Sequence, residues 1–237
     1  MHLAAISGTS AGIRTLLGFG LSTIFARENT EAMLPLDFAV DGFMGVMNDD
    51  DDNMLQNEFR QCIDILLMSA LYDRPILGEG DDDTPFLPIH GTASAQPCER
   101  AWKQLMVMYG EEYGGAIDPN GKTALHTLMS SMLFQEDLVA DAISSINSAH
   151  PFCLSHVDNS GFAPLHTALV NKMPYIVVEK LVECNGASVS VPVSEDVINV
   201  SLQGMLPFQL AASSGCEVDV IYFLLRSAPD NALALCK

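Results

Sequence analysis

Three stretches decide the fold: Gly121-Lys122-Thr123-Ala124-Leu125-His126, Gly161-Phe162-Ala163-Pro164-Leu165-His166 and Gly204-Met205-Leu206-Pro207-Phe208-Gln209. Three further stretches follow the same scheme: Met1-His2-Leu3-Ala4-Ala5, Met33-Leu34-Pro35-Leu36-Asp37-Phe38-Ala39 and Phe86-Leu87-Pro88-Ile89-His90. Taking the apolar residue before the histidine, or before its Asp or Gln replacement, as an anchor gives Met1, Leu36, Ile89, Leu125, Leu165 and Phe208, at spacings of 35, 53, 36, 40 and 43 residues. Self-similarity at such periods marks stacked supersecondary units. Three residues beyond the anchors stand Ala4, Ala39, Thr92, Leu128, Ala168 and Ala211, and the alanines suit a close approach of two helices.

A second landmark keeps phase. Sixteen residues beyond four of the anchors lie Leu17, Leu105, Leu181 and Leu224, the centres of second helices such as Tyr175–Cys184 and 218–226. In the second unit the comparable Leu66 comes 30 residues on, which places an acidic insertion at about 44–56 around Asp49–Asp52; in the fourth, Ile143 comes 18 residues on. Each unit therefore reads as a turn or finger followed by two antiparallel helices. Neither helix pair can bury its apolar face alone, so stacking supplies the core. Ile176, Val177 and Leu181 recur at helical spacing, Pro174 suits the first turn of a second helix, and Pro229 reads as a stop.

Together these motifs resemble the ankyrin repeat. The resemblance is carried by TALHTL at 123–128, APLHTAL at 163–169, LPFQLAASSG at 206–215 and MLPLDFA at 33–39, with DPNG at 118–121 and DNSG at 158–161 as the turn before the first helix. It covers nearly the whole chain. It departs from the family in the lost Thr of most units, in Asp37 and Gln209 at the histidine position, and in spacings beyond about 33 residues. What it implies is an all-α, ankyrin-like α-solenoid of helix-turn-helix repeats with short β-hairpin fingers. The array runs over 1–237 as units near 1–32, 33–85, 86–121, 122–161, 162–204 and 205–237. It also implies that the histidine hydrogen-bonds within its turn. Before the last unit, Val189, Val191 and Val193 alternate ahead of the polar turn Ser194-Glu195-Asp196, so a protruding hairpin over 188–202 is one expectation and an extended irregular loop the other.

Composition narrows the function classes. The chain has 237 residues, is 49% apolar, and carries 30 acidic against 11 basic side chains, a net charge of −19. That balance opposes nucleic acid and anionic membrane surfaces as partners, because phosphate contacts are carried by Lys and Arg. No apolar run reaches the roughly 20 residues that span a bilayer. Thr15–Ala26 follows Arg14 and is mostly apolar, but Ile24 spoils a leader cleavage site, and the segment fits the repeat better. The six cysteines, Cys62, Cys98, Cys153, Cys184, Cys216 and Cys236, form no CxxC pair and read as small buried apolar residues in a reducing compartment.

Candidate chemistry is sparse. His2, His90, His126 and His166 share one register position. Stacked helices lie about 8–10 Å apart, whereas zinc needs ligands at about 2 Å, so one histidine per unit does not converge on a metal. The run from Asp49 fails as a calcium loop, with Met54 and Arg60 where Gly and Glu are required. The stretch 41–83 holds 12 acidic and 2 basic residues, a solvated segment or a lure for a basic partner. Cys153 with His156, and Cys98 near His90, carry no third orienting group, and no phosphate-binding glycine loop is present; GFG at 18–20 is not one. Trp102, Met106 and Met108 read as core of a second helix.

The resulting expectation is a non-catalytic scaffold without cofactor or metal. It would bind another protein, one with a basic or neutral surface, through its concave face and fingers, with Asp118, Asn120, Lys122, Asp158, Asn159 and Phe162 as contacts. Phe162 stands out as an apolar ring on a turn with no packing reason. The chain is expected to be a cytoplasmic or nuclear monomer. The alternative is a regulatory or targeting region of a larger enzyme or membrane protein, which the start of the chain on an anchor favours.

Overall fold

The structure, a computed structural model, describes residues 1–17, 33–46, 53–72, 85–95, 97–130, 136–195, 197 and 199–234. Every regular element among these is helical. They fall into two compact bodies, Met1–Tyr113 and Gly114–Lys237.

In the first body, α1 (His2–Ile6) and α2 (Ser10–Leu17) form one pair, α3 (Pro35–Val46) and α4 (Asn53–Tyr72) the next, and α5 (Pro88–Ala95) and α6 (Glu99–Tyr113) the third. Like helices of the first two pairs lie together, α1 on α3 and α2 on α4. The third pair departs from that order: α5 packs chiefly on α4, and α6 on α3. Gly91 permits it, since a Cβ there would stand 2.5 Å from the Leu67 carbonyl oxygen of α4. The acidic runs 49–52 and 81–83 lie outside the described residues. The extra length of the second unit is partly helix, because α4 has 20 residues and its counterpart in the fifth unit, residues 175–184, has 10.

The second body holds α7 (Ala124–Ser130) and α8 (Glu136–Ala149), α9 (Pro164–Val170) and α10 (Tyr175–Cys184), α11 (Pro207–Ser214) and α12 (Val218–Ser227), and finally α13 (Pro229–Ala234). Here the order is regular. First helices pack in the series α7, α9, α11 and second helices in the series α8, α10, α12. Pro229 ends α12 and opens α13, rather than ending helical structure altogether.

The local causes are legible. Pro35, Pro88, Pro164 and Pro207 each open a first helix, where the absent N–H costs no hydrogen bond and φ is already helical. Leu17, Leu66, Leu105, Ile143, Leu181 and Leu224 are all buried, as are Ala39, Thr92, Leu128, Ala168 and Ala211, so both sequence landmarks line cores. Trp102 is buried, as a core reading requires, whereas Met106 and Met108 are only half-buried. No helix among the described residues is long and apolar enough to cross a membrane.

Among the described residues the fingers are turns, and the expected β-hairpins are not seen. Among the described residues no strand forms. The segment expected as a hairpin holds two 3₁₀ turns, Gly186–Ser190 and Val200–Leu202. Two backbone hydrogen bonds tie its middle to the start of the last unit, Val193 N–H to the Met205 carbonyl at 2.9 Å and Gly204 N–H to the Val193 carbonyl at 3.1 Å. The reason is which valines go inside. Val189, Val193 and Val197 are buried at intervals of four, while Val191 is exposed, and a strand would have put all of 189, 191 and 193 on one face.

Candidate functional site

One hydrogen-bonding device recurs. At four of the six anchors the following side chain accepts the backbone N–H three residues before it: His126 Nδ1 from Thr123 at 3.2 Å, His166 Nδ1 from Ala163 at 3.2 Å, Gln209 Oε1 from Leu206 at 2.8 Å and Asp37 Oδ2 from Leu34 at 2.6 Å. This satisfies a donor that the start of a helix leaves orphaned. Accepting at Nδ1 fixes the tautomer, so the other ring nitrogen carries the proton. His126 Nε2–H donates to the Phe162 carbonyl at 2.9 Å, and His166 Nε2–H to the Val191 carbonyl at 2.9 Å. His2 Nε2 likewise meets the Met33 carbonyl at 3.3 Å. Phe162 and Met33 both stand three residues before the next anchor. Each ring therefore ties the start of its own helix to the finger of the following unit.

Chemistry explains the exception. A carboxylate has no N–H to give, so at Asp37 the outward bond reverses, and Oδ1 accepts the Cys98 N–H at 2.8 Å. Burial keeps His126 and His166 below the ordinary imidazole value, outweighing the bonds to Phe162 and Val191 that favour the charged ring. His90, in the same register, is fully buried.

Neighbouring fingers of the second body are laced. Asp118 Oδ1 accepts the N–H groups of Asn120 and Lys122, and Asp158 Oδ1 those of Ser160 and Phe162. The Asn159 N–H then reaches the Asn120 carbonyl at 3.0 Å and the Ser194 N–H the Gly161 carbonyl at 3.2 Å. Gly121, Gly161 and Gly204, each four residues before its anchor, take φ of +75°, +84° and +69°, so the same left-handed turn repeats. His156 Nε2 adds a bond to the Gly121 carbonyl at 2.9 Å.

This geometry sorts the six expected contacts. Asn120 and Asn159 are exposed at the finger tips, although Asn159 Nδ2 also donates to the Pro119 carbonyl. Lys122 and Asp118 are half-buried, and Asp158 is buried and spent on its own turn. Phe162 has a packing role after all, since it is half-buried with its ring edge-on to His166 at 6.5 Å. Two residues absent from the expectation are better placed. Ile117 and Val157 stand eight residues before the anchors Leu125 and Leu165 and are 46% and 42% exposed. The register that aligned the histidines also aligns these two, and that was the available signal.

Cys62 and Cys153 are buried, and Cys98, Cys184 and Cys216 are half-buried. Burial pushes the Cys62 thiol up to about 12 and the Cys153 thiol up to about 11. Cys153 Sγ lies 3.8 Å from the Gly114 carbonyl, while the Nε2 of His156 is engaged with Gly121. Cys62, Cys98, Cys153, Cys184 and Cys216 are all free. Among the described residues, no three His, Cys, Asp or Glu side chains are grouped to hold a metal.

No protein-family model matches the chain, and no curated protein matches it.

Proposed function

We propose that the chain is an ankyrin-like interaction scaffold that holds a partner protein against its fingers. The supporting observation is the repeated tie from a side chain at the start of one helix to the carbonyl of the following finger, as in His126 to Phe162 and His166 to Val191. Such ties hold successive finger tips in fixed register and so present equivalent side chains side by side. In the second body those side chains are Ile117 with Val157, and Asn120 with Asn159. Two exposed β-branched residues in one register, flanked by amides, suit the apolar centre and polar rim of a protein contact. The net charge of −19 favours a partner with a basic or neutral surface and an association that weakens with salt.

The test is affinity capture with quantitative mass spectrometry, comparing the native chain with an Ile117→Ser/Val157→Ser double variant. Both positions are exposed, so the variant should unfold at the native urea concentration. A protein retained by the native chain and depleted at least several-fold on the variant is the expected result. Equal retention of every captured protein by both would overturn the reading.

A further inference from the structure

One group of residues without a role so far lies on α10 and α12. Tyr175 of α10 and Asp219, Tyr222, Phe223 and Arg226 of α12 line an open cleft of about 250 Å³. Its walls are aromatic. The rings of Tyr175 and Phe223 meet edge-on at 5.3 Å, and Tyr222 is 66% exposed. Tyr175 and Phe223 are half-buried against each other, whereas the exposed Tyr222 ring gains nothing for the fold by facing water. The Tyr175 hydroxyl donates to Glu179 Oε1 at 2.8 Å, which holds that ring and sets a carboxylate beside it. Asp219 has no hydrogen-bond or ion-pair partner among the described residues. Arg226 is not its partner, because the two stand seven residues apart on one helix, about 10 Å along the axis, beyond the three- or four-residue reach of a helical ion pair.

We propose that this cleft binds a cationic side chain, a lysine or arginine of a basic partner segment. The ring faces of Tyr222 and Phe223 supply the negative face of an aromatic quadrupole, and Asp219 supplies the countercharge. The chain's net charge of −19 raises the local concentration of such a segment. Arg226, at the far end, donates to a main-chain carbonyl of the bound segment and so sets its direction. This site is formed by second helices and does not depend on the finger reading.

The test uses the whole chain and three blocked tripeptides, Ac-Ala-Lys-Ala-NH2, Ac-Ala-Arg-Ala-NH2 and Ac-Ala-Glu-Ala-NH2, with the aromatic ring signals of Tyr222 and Phe223 followed by NMR. The expected result is a saturable shift with the lysine or arginine peptide and none with the glutamate peptide. Binding should weaken about three- to tenfold in Tyr222→Ala and by a similar factor in Asp219→Asn. It should be unchanged in Asp141→Asn, which removes the same charge from exposed α8. No saturable shift, a preference for the glutamate peptide, or equal weakening by Asp141→Asn would each overturn the proposal.

Discussion

The imidazole of His126 donates its Nε2–H to the carbonyl oxygen of Phe162 at 2.9 Å while its Nδ1 accepts the Thr123 N–H. One buried ring therefore caps its own helix and fastens the next finger. The cost of losing it is high because the buried Thr123 N–H would lose its acceptor, while the Phe162 carbonyl would keep only the Asp158 N–H at 2.9 Å. His126→Ala should lose about 2 kcal/mol or more of stability in urea unfolding. His126→Gln, which copies Gln209, should keep the Thr123 bond and lose less. Equal midpoints for the native chain and His126→Ala would show that the tie carries no weight.

Burial holds His126 and His166 below the ordinary value of 6.5. The unfolded chain then takes up protons on these rings at a higher pH than the folded chain does. Their contribution to stability is complete above about 6.5 and is lost as pH falls below it. The melting temperature should drop between pH 7.5 and 5.5, and a His126→Gln/His166→Gln variant should show a smaller drop over the same interval. Parallel curves for the two proteins would contradict the assignment.

The turns after first helices offer a test in the stabilising direction. Seven residues beyond their anchors, Gly8, Lys172 and Gly215 take φ of +62°, +55° and +74°. A lysine in this region carries a steric cost of about 1–2 kcal/mol that glycine avoids. Lys172→Gly should therefore raise the urea midpoint. Gly121→Ala should do the opposite, since its φ is +75° and its Cβ would fall 2.4 Å from Asn159 Oδ1. Gly186→Ala, where a Cβ meets nothing within 4 Å, should be close to neutral.

The buried thiols should be inert in the folded protein. With Cys62 pushed up to about 12 and Cys153 up to about 11, almost no thiolate exists at pH 7. Ellman's reagent should reach both only on unfolding, as read by mass mapping of the labelled cysteines. Labelling of either at the rate of an exposed thiol in native buffer would contradict their placement.

Much of this order was legible from sequence because it is periodic. The anchors, the second-helix landmarks and the histidine role all repeat; the second-helix landmarks and four of the six anchors are buried, while Met1 and Phe208 are half-buried. What escaped was whatever depends on contacts that the residue types alone do not announce. The ring of Phe162 looked idle because its packing neighbour, His166, is four residues on, across the turn. Asp158 looked available because its bonds go to main-chain N–H groups that no sequence displays. The valines at 189–197 read as a strand because alternation was counted, whereas burial runs at every fourth residue. The packing of α5 onto α4 has no periodic mark, and its one local sign is Gly91, where a Cβ would stand 2.5 Å from the Leu67 carbonyl oxygen.

The central claim is that the fingers of the second body present one face to a protein partner. The most direct measurement is photo-cross-linking from a benzoylphenylalanine placed singly at 117, 157 or 141. The account predicts that the same polypeptide is captured from positions 117 and 157 and not from 141, which lies on α8. Capture from 141 with none from 117 and 157 would contradict it.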